Sequence, residues 1–163
     1  MADYSTLALQ APRDNEGRRS ELPPLPSDVP GAVEDAGLYL NHGILVGELL
    51  GVEGSDALAA INEVHGLPEG MPRLFISDDY PTLQLFLGAL TDKLASALDG
   101  DGRPRPGAHA ERLLASPLIT RDGAGRLATV SRHVLLGDLR EHLLALLAMF
   151  SFAKEQGLLV AML

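Results

Sequence analysis

The feature that most constrains the fold is a long apolar stripe near the C-terminus. Its members lie three or four positions apart: Leu139, Leu143, Leu146, Phe150 and Ala153. This spacing places them on one face of an α-helix, which we predict to begin at Asp138 and to end near Gln156, before Gly157. Leu144 and Leu147 make the middle of this helix apolar on nearly every side. We therefore expect the helix to be central in the core or shared with a second subunit.

Further helices are predicted along the chain. A second stripe has the same spacing: Leu83, Leu87, Leu90, Leu94 and Leu98. We expect Asp79 to cap this helix and Pro81 to lie in its first turn. Other helices are predicted over residues 33–50, 55–64 and 108–115. Three glycines weaken the first of these helices or permit close approach of another backbone: Gly37, Gly43 and Gly47.

A few short segments favour strands. Residues 73–77 are an apolar run that indicates a strand or extended segment, and residues 158–163 are predicted to pack as a strand or extended arm. Runs at 117–121 and 126–131 flank a Gly-rich turn, a pattern typical of a β-hairpin. Leu and Ala are abundant, whereas β-branched and aromatic residues are sparse. We therefore predict a mainly α (α+β) fold, a helix-dominated domain of four to five helices with one small β-hairpin.

Residues 1–31 differ in composition from the rest of the chain. Four prolines lie between Pro23 and Pro30, and apolar periodicity is almost absent. Such a segment buries too little apolar surface to offset the entropy of ordering, so we predict a flexible Pro-rich leader over 1–31 and a single helical domain over 32–163. The run Leu22–Pro26 suits a polyproline II conformation that docks on an aromatic groove. A leader that merely drapes over the domain is the alternative.

Several residue types and motifs are missing from the sequence, which excludes some classes of functional site. The chain has no cysteine, which excludes disulfides, thiolate zinc sites and thiol nucleophiles. It shows no secretory signal and no apolar run of the roughly 18 residues that a membrane span needs. Nucleophile-elbow, Walker and dinucleotide-binding motifs are also absent. We expect a cytoplasmic protein without cofactor, metal or membrane contact, and we do not expect an enzyme.

The net charge of −9 is unevenly distributed. Residues 32–101 hold twelve acidic residues and only two basic ones, Arg73 and Lys93, whereas residues 102–163 hold five acidic and eight basic residues. An acidic surface can steer association with a basic partner. The alternative is that the two parts of the chain face each other in the fold.

Arginines cluster in the second half. The group falls within thirty residues: Arg103, Arg105, Arg112, Arg121, Arg126 and Arg132. The planar guanidinium suits carboxylates and phosphates. A nucleic-acid partner would require a net basic domain and stacking aromatic residues, and the chain has neither. The expected targets are a carboxylate-rich protein surface, an anionic ligand or the chain's own acidic half.

Two pairs of residues are further candidates. Asp138 and His142 lie one helical turn apart, where a carboxylate can orient an imidazole for proton transfer. The alternative is a first-turn Asp beside an exposed His. Asp78 and Asp79 are candidate binding residues because paired carboxylates bind hard cations, although helix capping also explains them.

We therefore expect a non-enzymatic protein-binding module that uses an acidic surface. Candidates within this class are an immunity or antitoxin-type inhibitor, an adaptor and an assembly chaperone. The alternative is a small enzyme or binding protein whose arginine cluster holds a phosphate- or carboxylate-bearing ligand, with Asp138 and His142 as proton handlers. Self-assembly through the C-terminal helix is a third expectation.

Overall fold

A computed structural model of the protein describes residues 6–52, 74–98, 118–121, 127–130 and 136–162. These residues form three helices and six strands. Their order along the chain is β1 (Leu7–Gln10), β2 (Ala32–Val33), α1 (Ala36–Leu50), β3 (Leu74–Phe75), α2 (Tyr80–Ala97), β4 (Leu118–Arg121), β5 (Leu127–Val130), α3 (Leu136–Gln156) and β6 (Leu159–Met162). No helix of this described part is long and apolar enough to cross a membrane.

Four short strands form one sheet. Their order is β2-β1-β6-β3, and every neighbouring pair is antiparallel. Leu9, Val160 and Phe75 stand opposite one another in three adjacent strands, and all three are buried. Leu7 pairs with Val33 beside them, and both are buried too. Because side chains alternate between the faces of a strand, these residues give the sheet one apolar face.

The expectation of a helix-dominated domain with four to five helices and one small β-hairpin is wrong. The described residues contain three helices and a four-stranded antiparallel sheet in addition to a hairpin. Strand β1 lies within residues 1–31, which we expected to be a flexible leader, and it pairs with β2 on one side and β6 on the other. Only Leu7 and Leu9 face inward in β1, and two residues are too few for a periodic signal. The helices predicted over 55–64 and 108–115 lie outside the described residues.

Both apolar stripes form helices, as predicted. The stripe residues of α2 and α3 are all buried. Helix α3 begins at Leu136, two residues before the predicted start. Gly157 ends it with a φ of 64°, and the Leu158 N–H donates to the Ala153 carbonyl at 2.8 Å, an arrangement that satisfies the last turn and turns the chain into β6. Strands β4 and β5 pair as the predicted hairpin.

Helix α3 packs against the sheet and the other two helices. Phe150 meets the ring of Phe75 edge to face, with centroids 5.2 Å apart. A Cβ placed on Gly43 of α1 would lie 3.1 Å from the Leu90 side chain of α2 and 3.3 Å from the Leu143 side chain of α3. Glycine at position 43 therefore lets α1 approach both helices closely, which is one of the two roles predicted for it.

Candidate functional site

The N-terminal parts of α1 and α3 lie side by side. Tyr39 of α1 and His142 of α3 stack with ring centroids 3.8 Å apart and planes 17° from parallel. Asp35 precedes α1 by one residue, and Asp138 lies in the first turn of α3. We call these four residues, Asp35, Tyr39, Asp138 and His142, the aromatic–acidic end.

A backbone hydrogen bond fixes the His142 ring. Its Nδ1 lies 2.7 Å from the carbonyl oxygen of Asp138. Because a carbonyl only accepts, Nδ1 carries the proton, and Nε2 of the neutral ring is left as an acceptor. The predicted contact between Asp138 and His142 thus exists, but it uses the backbone oxygen of Asp138 instead of its carboxylate.

Two carboxylates act on the Tyr39 hydroxyl. Burial raises the pKa of Tyr39, and the negative charges of Asp35 and Asp138 raise it further. Asp35 precedes Tyr39, and Asp138 precedes His142, by one helical turn, so each carboxylate lies one turn from a ring of the stack. Within the described part of the chain, no lysine, arginine or histidine forms an ion pair with either of them.

Asp35 has an unusual backbone conformation. Its φ is 55° and its ψ 24°, the left-handed region, and no other non-glycine residue among those described has a positive φ. Aspartate and asparagine tolerate this region better than most residues. The Asp35 side chain makes no capping hydrogen bond to α1. Its carboxylate is therefore not used to satisfy the helix and can act on another group.

His42 lies less than one turn beyond Tyr39 on α1. It is 0% exposed, and neither ring nitrogen has a hydrogen-bond partner in the described structure. Burial lowers the pKa of His42, because removal from water disfavours the charged ring. At neutral pH this histidine is uncharged and does not offset the acidic groups of the aromatic–acidic end.

The predicted pair Asp78 and Asp79 does not lie at the aromatic–acidic end. Asp78 is exposed and Asp79 is buried, just before α2. They lie toward the C-terminal end of α3, where Gln84 of α2 donates to Ser151. Asp79 is the N-cap residue of α2, as predicted, but its carboxylate accepts from the Ile76 N–H at 2.9 Å instead of bonding to the first turn of α2.

The predicted arginine cluster cannot be placed relative to this site. Five of its six arginines lie outside the described residues: Arg103, Arg105, Arg112, Arg126 and Arg132. Arg121 ends β4, and its side chain likewise lies outside the described part.

Sequence reasoning missed Asp35, Tyr39 and His42. They are spaced i, i+4 and i+7, with Asp35 just before α1, so Tyr39 and His42 begin a polar stripe on one side of a mostly apolar helix. That polar stripe was the available signal. The partner of Tyr39 was not predictable, because His142 is far away in sequence and reaches it only through helix packing.

Neither metal ligands nor relatives identify the site. In the described ranges, no group of three or more His, Asp or Glu side chains is arranged to hold a metal ion. Comparison with models of known protein families, with curated proteins and with solved structures finds no match. The geometry of the aromatic–acidic end is therefore the guide to function.

Proposed function

We propose that the chain is a non-enzymatic protein-binding module that uses its acidic surface, centred on the aromatic–acidic end, to bind a basic segment of another protein. Candidates within this class are an immunity or antitoxin-type inhibitor, an adaptor and an assembly chaperone. The observation that carries the proposal is a stacked Tyr39–His142 pair beside two carboxylates that no described cation neutralises.

The wider acidic surface supports this proposal. The only ion pair among the described residues joins Arg18 to Glu16, outside the acidic segment 32–101. Several exposed or half-buried acidic residues make no ion pair with a described cation: Glu34, Asp35, Glu48, Asp78, Asp92 and Asp138. Unpaired surface carboxylates attract a basic partner over a distance of about 8–10 Å at moderate salt.

The chemistry of the aromatic–acidic end favours arginine on the partner. A guanidinium stacks on aromatic faces and also forms forked hydrogen bonds with carboxylates. Tyr39 supplies an aromatic face, and Asp35 and Asp138 supply the carboxylates. Aromatic residues and arginine are enriched where interface energy is concentrated, so the site has the composition of an interface centre.

The test is retention of a partner by the immobilised full chain from native lysate, at low and moderate salt. Asp35→Asn/Asp138→Asn removes two charges from the aromatic–acidic end, and the control Asp78→Asn/Glu155→Gln removes two exposed charges toward the C-terminal end of α3. We expect wild type and control to retain the same protein, and the site variant to lose it. Equal loss from both variants, or no retained protein at either salt, contradicts the proposal.

A second candidate is a small enzyme or binding protein for an anionic ligand. The fixed Nδ1–H of His142 favours it, because the neutral ring then presents Nε2 as a proton acceptor. The predicted arginines would hold the phosphate or carboxylate. A thermal-shift screen with phosphorylated and carboxylated metabolites tests it, because a ligand at 100 times its Kd adds about 2.7 kcal/mol of stability. A screen without shifts contradicts this candidate.

Self-assembly through α3 remains a prediction with less support. The apolar stripe of α3 is already buried within one chain, which leaves less of it for a second subunit. Light scattering of the purified chain tests this directly, since a monomer at all concentrations rules it out. A cytoplasmic location also remains a proposal, and the absence of cysteine supports it.

A further inference from the structure

A proline-rich loop projects between the two neighbouring strands β1 and β2. The Leu9 N–H donates to the Gly31 carbonyl at 2.9 Å, which holds the loop at its base. Arg13 and Arg19 form an antiparallel bridge that closes the first part of the loop on itself. Residues 20–30 are left as a separate excursion with both ends anchored.

The middle of this excursion exposes apolar side chains. Leu22 is 39% and Leu25 is 37% exposed, and they are two of the four large exposed hydrophobic residues in the described part of the chain. Pro24 and Pro26 are exposed as well. No described backbone hydrogen bond involves residues 21–25. Pro23 is half-buried, and a Cβ placed on Gly31 would lie 3.2 Å from Leu25 Cδ1, so the run packs in part on the base of the loop. The run Leu22–Pro26 is apolar, exposed over most of its length and not part of any sheet or helix.

The order of residues matches the requirements of a polyproline ligand. Leu22-Pro23 and Leu25-Pro26 are two apolar–proline pairs three positions apart. A polyproline II helix has three residues per turn, so the two pairs face the same side. Aromatic-lined grooves that recognise Pro-x-x-Pro segments exploit this repeat. Proline fixes φ, and the anchored ends restrict the loop further, so binding orders little additional chain.

The arginines before this run are already engaged within the chain. Arg18 pairs with Glu16, and Arg19 donates to the Gln10 side chain. Recognition therefore rests on the two apolar–proline pairs and not on a flanking cation. This separates the loop from the charge-based binding proposed for the aromatic–acidic end.

We propose that Leu22–Pro26 is a second, independent binding element, a polyproline ligand for an aromatic-lined, Pro-x-x-Pro-recognising groove on a partner protein. The probes are isolated SH3, WW and EVH1 domains, titrated one by one into the ¹⁵N-labelled full chain. We expect at least one domain to shift the amide resonances of residues 20–28.

Two variants make the result specific. Pro23→Ala/Pro26→Ala is expected to weaken binding on the order of tenfold or more, and the control Pro12→Ala, an exposed proline of the same loop outside the run, is expected to leave it unchanged. Asp35→Asn/Asp138→Asn should bind the domain as wild type does, whatever the outcome for the aromatic–acidic end. The proposal is overturned if none of the domains shifts these resonances, or if the double proline variant binds as tightly as wild type.

Discussion

Tyr39 and His142 stack with centroids 3.8 Å apart and thereby join the N-terminal parts of α1 and α3. The backbone carbonyl of Asp138 orients the imidazole from within its own helix. On the other helix, the left-handed backbone of Asp35 places an unengaged carboxylate beside the same pair. The contact therefore gathers two aromatic rings and two carboxylates from distant parts of the sequence.

The pKa of Tyr39 should respond to Asp35. Asp35→Asn is expected to lower the pKa of Tyr39, because a neutral amide no longer repels the tyrosinate. Asparagine also tolerates the left-handed backbone at this position. Ultraviolet titration, with Tyr39→Phe to identify the signal, measures the change. An unchanged pKa in Asp35→Asn, or an equal shift in the control Asp78→Asn just before α2, contradicts the assignment.

Acid should destabilise the fold through His42. Burial lowers the pKa of His42 in the folded protein, so the unfolded chain binds the proton more tightly. Stability attributable to His42 is complete above the ordinary histidine pKa of about 6.5 and is lost as the pH falls below it, by at most about 1.4 kcal/mol per pH unit. Urea unfolding of wild type and His42→Leu can be measured between pH 4 and pH 8. As the pH falls below about 6.5, the wild type should lose stability relative to the variant. Parallel pH profiles would contradict this.

The Tyr80 hydroxyl should contribute measurably to stability. Burial raises the pKa of Tyr80, so the hydroxyl stays protonated. It donates to the Leu158 carbonyl at 2.7 Å and lies 3.0 Å from the Phe75 carbonyl, which ties α2 to both β3 and the start of β6. Tyr80→Phe should lower the free energy of unfolding by about 1–3 kcal/mol, because buried carbonyls lose their donor. The half-buried Tyr39→Phe is the control, and an equal or larger loss there would refute the prediction.

Substitution by alanine should change the stability of the protein differently at two helical glycines. A Cβ at Gly88 of α2 meets nothing within 4 Å, whereas one at Gly43 crowds Leu90 and Leu143, which are fully buried. Gly88→Ala should therefore stabilise the protein by up to about 1 kcal/mol. Gly43→Ala should gain less or lose stability, since its neighbours must move. Thermal unfolding of both variants measures this, and equal stabilisation would show that α1 is not closely packed.

The long helices were predictable because their signal is local. The stripe from Leu83 to Leu98 repeats over four turns, and each member is buried in the structure. Strand β1 was not predictable, since Leu7 and Leu9 are its only inward residues and their partners lie at the other end of the chain. Strand β6 joins β1 to β3 through long-range pairing, which composition and periodicity do not predict.

The site was predictable only in part, for the same reason. Asp138 and His142 share one helix, so their proximity followed from the helical repeat. Tyr39 meets His142 because Gly43 lets α1 approach α3, a consequence of packing between separate elements. The role of Asp35 depends on a backbone conformation that its residue type permits but does not require.

The most direct test of the central claim is calorimetric titration of the full chain with an arginine-rich peptide at low and moderate salt. Wild type and Asp78→Asn/Glu155→Gln should bind alike, with affinity that falls as salt rises. Asp35→Asn/Asp138→Asn should bind on the order of tenfold more weakly or worse. Equal affinity of the two double variants would contradict the account, because binding would then follow net charge alone and not the aromatic–acidic end.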